Sequence, residues 1–282
     1  MYTKNKPALT PKDLEKLANK IRFEIILNSH KSKTPHLGSC LSCTDILVYF
    51  YWCILNILPN DPTKIDRDRF ILSKGHAAPA LFFVLAEKGF FSKDFLNDYG
   101  KDGSIFGEHP PTPASLGGIE AATGSLGHGF CMGAGMALAS KLSNINYNVY
   151  ACISDGECNE GTIWEGAMFA ANNQLDNFVT IVDYNKWQAT ERSCNNLGSL
   201  RDKWMAFGWS VEEADGNDFN SLKGALEKLN KNKLKKPKII IAHTIKGKGI
   251  SFMEDDNNWH YRIPTVEEVE KCAKELDISY SP

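Results

Sequence analysis

Apolar side chains recur along this chain with two different periods. In the first third, Leu14, Leu17, Ile21 and Ile25 repeat at three and four residues, the spacing of one helix face. Thr10-Pro11-Lys12-Asp13 precedes them with a cap residue, a proline at the first helical position and an acid in the first turn. A helix is therefore expected to run from there to about Ser29. Thr44-Asp45 opens a second, strongly apolar helix that stops before Pro59. Its densest run, Ile46 to Leu58, is too short to span a bilayer and is interrupted by Asn56, so it reads as a buried helix. Arg69 to Leu72 is a short strand, followed by a helix from about Ala77 to Lys88.

From Lys101 to Thr123 no period survives. The stretch is rich in glycine and proline but interleaved with Ile105, Phe106 and Leu116, which favours an ordered functional loop over a disordered one. Beyond it the rhythm changes. Val149–Ile153, Phe178–Val182 and Lys238–Ala242 are compact apolar runs of strand length, with helical stretches near Thr162–Asn173, Leu200–Phe207 and Asn220–Asn230. Strands that are apolar throughout and alternate with helices predict an α/β fold, a parallel sheet with helices on both faces. Thr265 with Glu268 forms a capping box for a last helix. Asn230 to Lys238 reads as a basic surface loop, and no linker divides the 282 residues, so one domain is expected.

Composition narrows the function classes. Apolar residues at 43% leave enough for a core, and 32 basic against 34 acidic residues give a net charge of −2. That balance offers no footprint for nucleic acid or an anionic membrane. The N-terminal residues Met1, Lys4, Lys6 and Pro7 lack the apolar stretch of a signal peptide, so a cytoplasmic protein is expected. The eight cysteines are then expected to be reduced. Cys40 and Cys43 form a CxxC, but only His36 is near, and an apolar helix follows where a redox motif would follow a strand. Packed core cysteines are the reading.

In an open parallel sheet, ligands bind beyond the carboxyl ends of the strands. Ser154-Asp155-Gly156-Glu157 leaves one such end and Asp183-Tyr184-Asn185-Lys186-Trp187 leaves another. A carboxylate and an amide oxygen from neighbouring strand ends suit Mg²⁺, which takes oxygen ligands and shares them with phosphates. The alternative is an Asp-Gly turn and an Asn helix cap. Gly124-Ser125-Leu126-Gly127-His128-Gly129 runs into Gly133, Gly135 and a small-residue helix, a phosphate-cradle pattern or equally a close helix contact. His36, His76, His109, His128 and His260 each lie by glycine or proline, or in a predicted loop. With no zinc spacing among them, they suit neutral imidazoles that donate hydrogen bonds and carry protons.

Taken together, these residues resemble the thiamine-diphosphate-binding half of transketolase, and in particular the N-terminal subunit of two-subunit transketolases. The thiamine-diphosphate signature is Gly-Asp-Gly, a spacer in the high twenties, then Asn. Here Asp155-Gly156 precedes Asn185 with 28 residues between, and Ser154 replaces the first glycine. Pro35-His36-Leu37-Gly38, Ser73-Lys74-Gly75-His76 and the Gly124–Gly129 motif match the transketolase branch in order, and the likeness runs from about residue 10 to residue 262.

The resemblance implies one thiamine-diphosphate-binding domain. It implies Mg²⁺, or another hard divalent cation, on Asp155, Asn185 and the backbone carbonyl of Trp187. Gly156, His76 and His260 would contact the diphosphate, and Gly124, Ser125 and Leu126 would line the cofactor. Glu157 and Asn185 count with the cofactor-binding residues, and Glu160 lies within the signature without separate chemistry. His36, His76, His109 and His260 would surround the reacting carbon and the sugar hydroxyls. His109 would anchor the donor's terminal hydroxyl, and His260 or His36 would take the hydroxyl proton. Tyr261-Arg262 stands after His260 where the family pattern has a glycine. The implied reaction moves a two-carbon ketol unit from an anionic ketose, such as a sugar phosphate, to an aldose. A C-terminal, pyrimidine-binding subunit is implied as partner, in two copies of each chain. Competing readings are a 2-oxo acid dehydrogenase α-like or deoxyxylulose-phosphate synthase-like enzyme, a Mg²⁺ phosphohydrolase, and a non-catalytic assembly subunit.

Overall fold

The computed structural model describes residues 9–193, 197–232 and 234–281. Met1 to Ala8, Cys194 and Lys233 of the basic stretch lie outside them, so the reading of the N-terminus is not addressed by the structure. Five strands form one parallel sheet: β1 (Arg69–Leu72), β2 (Val149–Ser154), β3 (Phe178–Tyr184), β4 (Ser210–Asp215) and β5 (Lys238–His243), in the order β1-β2-β3-β5-β4. Alternate residues of the strands feed two separate cores. Tyr150, Cys152, Val179, Ile181 and Ile240 face one, and Val149, Ala151, Ile153, Phe178 and Val182 face the other. This two-sided burial is why β2, β3 and β5 are apolar through most of their length.

Helices α1 (Pro11–Ser32), α2 (Leu37–Tyr49), α3 (Ala78–Lys88), α7 (Phe219–Lys231) and α8 (Val266–Glu275) cover the first face. Helices α4 (His128–Ser143), α5 (Gly161–Asn172) and α6 (Leu200–Ala206) cover the second. Thr265 closes the capping box its sequence predicts, and the predicted cap at Thr10 closes one as well, with Asp13. The Lys101–Thr123 stretch is irregular apart from one 3₁₀ turn at Pro113–Ser115, and it buries Phe106 and Leu116 while Ile105 stays exposed.

Two expectations need correction. The apolar helix begins at Leu37, not at Thr44-Asp45, and continues through a π-turn at Phe50–Ile54. Its small and polar residues hid the period: Ser42, Thr44 and Asp45 are buried, and Thr44 Oγ1 donates to the Cys40 carbonyl at 2.9 Å within the helix. The Leu37–Ile54 segment is thus 18 residues and, by length and composition, long enough to cross a membrane, yet 83% of it is buried inside the fold. Cys40 and Cys43 sit in this helix as free, fully buried thiols. The second correction is β4, for which the pattern of apolar runs gives no signal. Ser-Val-Glu-Glu-Ala-Asp is an edge strand whose charges face solvent, so its apolar content is reduced to Val211 and Ala214.

Candidate active site

The carboxyl ends of β1, β2, β3 and β5 open onto one cleft of ≈ 460 Å³. This is the rim of the sheet that open parallel architectures use for ligands. The sheet register puts Ser154 opposite Asp183, so Asp155 and Asn185 leave neighbouring strands side by side. Asp155 is fully buried. Its Oδ1 accepts from Gly156 N at 3.0 Å, and its Oδ2 accepts from Lys186 N at 2.8 Å and from the Ser193 hydroxyl. Burial pushes its pKa up to about 7, against the lowering effect of the Ser193 hydrogen bond. No ion pair to Asp155 exists among the described residues.

Asn185 is oriented by its own neighbours. Its Nδ2 donates to Ser42 Oγ at 3.3 Å and to Asp183 Oδ2 at 3.4 Å, while Oδ1 accepts from Trp187 N at 3.0 Å. Lys186 takes a positive φ of 68°, which folds the chain back beside Gly156, where Gln188 packs closely and the Trp187 carbonyl lies near. Among the described residues, no three His, Cys, Asp or Glu side chains form a metal cluster. A cation here would therefore be held by a carboxylate, an amide oxygen and a main-chain carbonyl, an all-oxygen set of the kind that suits Mg²⁺ and its shared phosphates. A buried carboxylate short of positive charge fits that group.

Three histidines converge across the cleft. His36 lies at the N-terminus of α2 with φ 75°, His76 follows β1, and His260 lies in a 3₁₀ turn before α8. Their ring centroids are 5.6 Å (His36–His76), 5.0 Å (His36–His260) and 5.8 Å (His76–His260) apart. Burial, then neighbouring positive groups, drives the pKa of His76 well below its ordinary value and that of His260 down to about 3. His36 is also lowered, by burial above all. All three rings are neutral near pH 7. Gly75 makes the approach possible: a Cβ there would lie 2.6 Å from the Thr123 backbone, so only glycine lets the His76 turn meet the Gly124 loop.

Gly124 and Leu126 line the cleft, as do Gly156, Asn185 and Trp187, whereas Ser125 is exposed beside it. His109 is exposed and stands against Gly124, with its ring 3.3 Å from where a Cβ at Gly124 would lie. His128 is exposed at the start of α4, 3.2 Å from the Leu126 carbonyl, and stays apart from the three. Glu157 does not line the cleft. It is fully buried, and its carboxylate accepts from the Ser73 hydroxyl, Gly127 N at 2.8 Å and Ser154 N at 3.2 Å. It ties the Gly124–Gly129 loop to the ends of β1 and β2, and burial raises its pKa.

Sequence reasoning missed the charged groups below the cleft. Lys74 and Asp183 are fully buried and ion-paired. Burial opposes the Lys74 charge, but the Asp183 carboxylate outweighs it and the lysine pKa is raised. Asp183 also accepts from Thr244 and from Ser42, the latter at 2.6 Å. Lys246, on the turn after β5, is 1% exposed beside His260. Lys74 at least lies inside the Ser73–His76 motif. Lys246 carried only a Lys-Gly-Lys-Gly pattern, which reads as surface.

Comparison with known proteins agrees with this geometry. The family model described as "Transketolase, thiamine diphosphate binding domain" matches residues 14–281. An apulose-4-phosphate transketolase subunit of Phocaeicola vulgatus is 39% identical over 265 residues, 93% of each chain. The 6-deoxy-6-sulfo-D-fructose transketolase subunit SqwG of Clostridium sp. (strain MSTE9) is 39% identical over 263 residues, 93% of this chain and 94% of that protein. The solved transketolase of Campylobacter jejuni superposes with a TM-score of 0.90 at 29% identity, covering 96% of this chain and 43% of that one. The chain thus spans less than half of that solved protein but nearly all of the two subunits.

Proposed function

The chain belongs to the transketolase family, and we propose that it is the thiamine-diphosphate-binding subunit of a two-chain enzyme. That enzyme moves a two-carbon ketol unit from a ketose to an aldose. One observation carries the reading. Asp155, Asn185 and three neutral histidines, drawn from five separate stretches of sequence, meet at one cleft on the strand ends.

In this reading Asp155, the Asn185 amide oxygen and the Trp187 carbonyl would hold Mg²⁺, a cation suited to binding a diphosphate. Gly156, His76 and His260 would contact the diphosphate, and Gly124, Ser125 and Leu126 would line the cofactor. When bound, thiamine diphosphate supplies a nucleophilic carbon and an electron sink for breaking a bond beside a carbonyl. The chain's own residues position the sugar and handle its protons. A neutral His36 accepts a hydroxyl proton and returns it, which suits work near pH 7. His109, at the rim by Gly124, anchors the donor's terminal hydroxyl. Burial of the cleft floor keeps water from the reacting groups.

The subunit relatives have the length of this chain, and the solved transketolase is more than twice as long. This supports a companion chain that supplies the pyrimidine-binding half; two copies of each chain are what the family resemblance implies. The names of the relatives contain a phosphate and a sulfo group, which supports an anionic ketose as donor. Mixing the chain with its companion, thiamine diphosphate, Mg²⁺, a ketose phosphate and an aldose should yield transfer product, and the chain alone should yield none. Turnover by the single chain would overturn the two-chain reading. A fully loaded assembly inert toward phosphorylated and sulfonated ketoses would overturn the activity.

A further inference from the structure

Lys246 reaches the cleft along a path built for it. Its stem passes Gly38 at the start of α2, where a Cβ would lie 3.0 Å from Lys246 Cγ and 3.1 Å from Cε. The turn it sits on is pinned by Gly247 N donating to the Gly38 carbonyl at 3.0 Å, and by Asp255 N donating to the Lys246 carbonyl at 2.8 Å. The ammonium group ends 2.6 Å from Asn257 Oδ1 and 3.3 Å from His260 Nδ1.

The donor and acceptor roles in this chain of contacts follow from chemistry. Asn257 Nδ2 lies 3.0 Å from the Ala189 carbonyl, which can only accept, so the amide nitrogen faces Ala189 and the amide oxygen faces Lys246. Burial lowers the Lys246 pKa to about 8, so near pH 7 the group is an ammonium, with three donors and no acceptor. It therefore donates to Asn257 and to His260, and Nδ1 of His260 must accept. A neutral imidazole carries one proton, which is then on Nε2. Among the described residues no protein group pairs with that Nε2, and His260 lines the cleft.

We infer that Lys246 is a positioning residue that fixes His260 in its Nε2–H tautomer, so that His260 offers the cleft a hydrogen-bond donor and not a proton acceptor. Burial, followed by the Lys246 charge, also keeps the ring from becoming doubly protonated. The two histidines that could take a sugar hydroxyl proton are thereby sorted. His36, whose ring receives no donor among the described residues, is the acceptor; His260 holds an oxygen of the ligand. The identity of that oxygen, on a diphosphate or a sugar, rests on the function proposed above. The tautomer does not.

The test reads the ring directly. ¹⁵N-histidine labelling of the full chain, with His260 assigned by the signals missing from His260→Gln, should show a pyrrole-type Nε2 and a pyridine-type Nδ1. In Lys246→Met the two tautomers should mix, while Lys246→Arg, which keeps a donor-only cation, should retain the Nε2–H form. In the assembled enzyme Lys246→Met should raise the Kd for thiamine diphosphate roughly tenfold, the scale of one charge-assisted hydrogen bond. A pyrrole-type Nδ1 in the unmodified chain, or a His260 pattern unchanged in Lys246→Met, would overturn the inference. Should Lys246→Met not fold, the unmodified chain and Lys246→Arg still decide it. An enzyme without ketol transfer but with the Nε2–H tautomer would sink the proposed function and leave this one standing.

Discussion

Asp155 and Asp183 are both fully buried carboxylates at the ends of neighbouring strands, and they are chemically opposite. Asp183 is closed. Lys74 neutralises it, and Ser42, Thr244 and Asn185 fill its remaining acceptor sites. Asp155 receives only neutral donors, from Gly156, Lys186 and Ser193, and burial lifts its pKa to about 7. Burial alone does not separate a structural acid from a functional one. The charge balance around it does: one carboxylate carries its own counter-ion, and the other is short of a cation.

Isosteric substitution should split the pair most sharply. Asp183→Asn leaves the Lys74 charge buried and unpaired, which should destabilise the fold by about 3–5 kcal/mol in urea unfolding. Asp155→Asn keeps one oxygen acceptor and turns an amide nitrogen toward its other donors, but it leaves no buried charge unpaired, so the unliganded chain should lose less, about 1–2 kcal/mol. Equal losses in the two variants would erase the distinction. Because Asp183 also holds the Asn185 amide, its variant should lose cofactor binding as a consequence of the damage to the site.

The next effect concerns substrate and not the floor. His109→Ala should raise the donor KM and lower kcat/KM by about 1–3 kcal/mol, the worth of a lost hydrogen bond, while thiamine diphosphate affinity barely moves. Loss of cofactor with donor affinity intact would move His109 from the rim to the floor.

How much of this is legible in the sequence depends on what each signal consists of. Four of five strands are plain because two-sided burial makes them apolar through most of their length, whereas β4 is an edge whose glutamates mask it. The start of α2 is hidden because its first turns are glycine, serine and cysteine, residues that pack closely without a period. At the site, Asp155, Asn185, His36 and His76 stand in motifs of fixed spacing, whereas His260 enters only through the family resemblance. Asp183, Thr244 and Lys246 do neither, since a buried charge is recognisable only once its partner, brought from elsewhere in the chain, is known. Glu157 shows the converse: it lies in the signature, yet its carboxylate serves Ser73, Gly127 and Ser154.

A smaller effect should appear in acid. The pKa of His260 is about 3 in the fold against an ordinary 6.5, so between those values the unfolded chain binds the extra proton. Stability owed to this neutral ring is complete above about pH 6.5 and is lost as pH falls toward 3. His260→Gln should therefore lose less stability than the unmodified chain between pH 7 and pH 5, in paired urea titrations. Parallel curves would mean that the ring is not held neutral.

The contrast between the two carboxylates rests on the proposal that the open one, Asp155, takes a divalent cation together with the cofactor. Calorimetric titration of thiamine diphosphate into the assembled enzyme, with Mg²⁺ and again with chelator, tests it most directly. Saturable binding with Mg²⁺ is expected, lost in chelator and weakened roughly tenfold or more in Asp155→Asn, as befits a charge-assisted contact. Thiamine diphosphate binding of equal affinity with and without metal, or unchanged in Asp155→Asn, would contradict it.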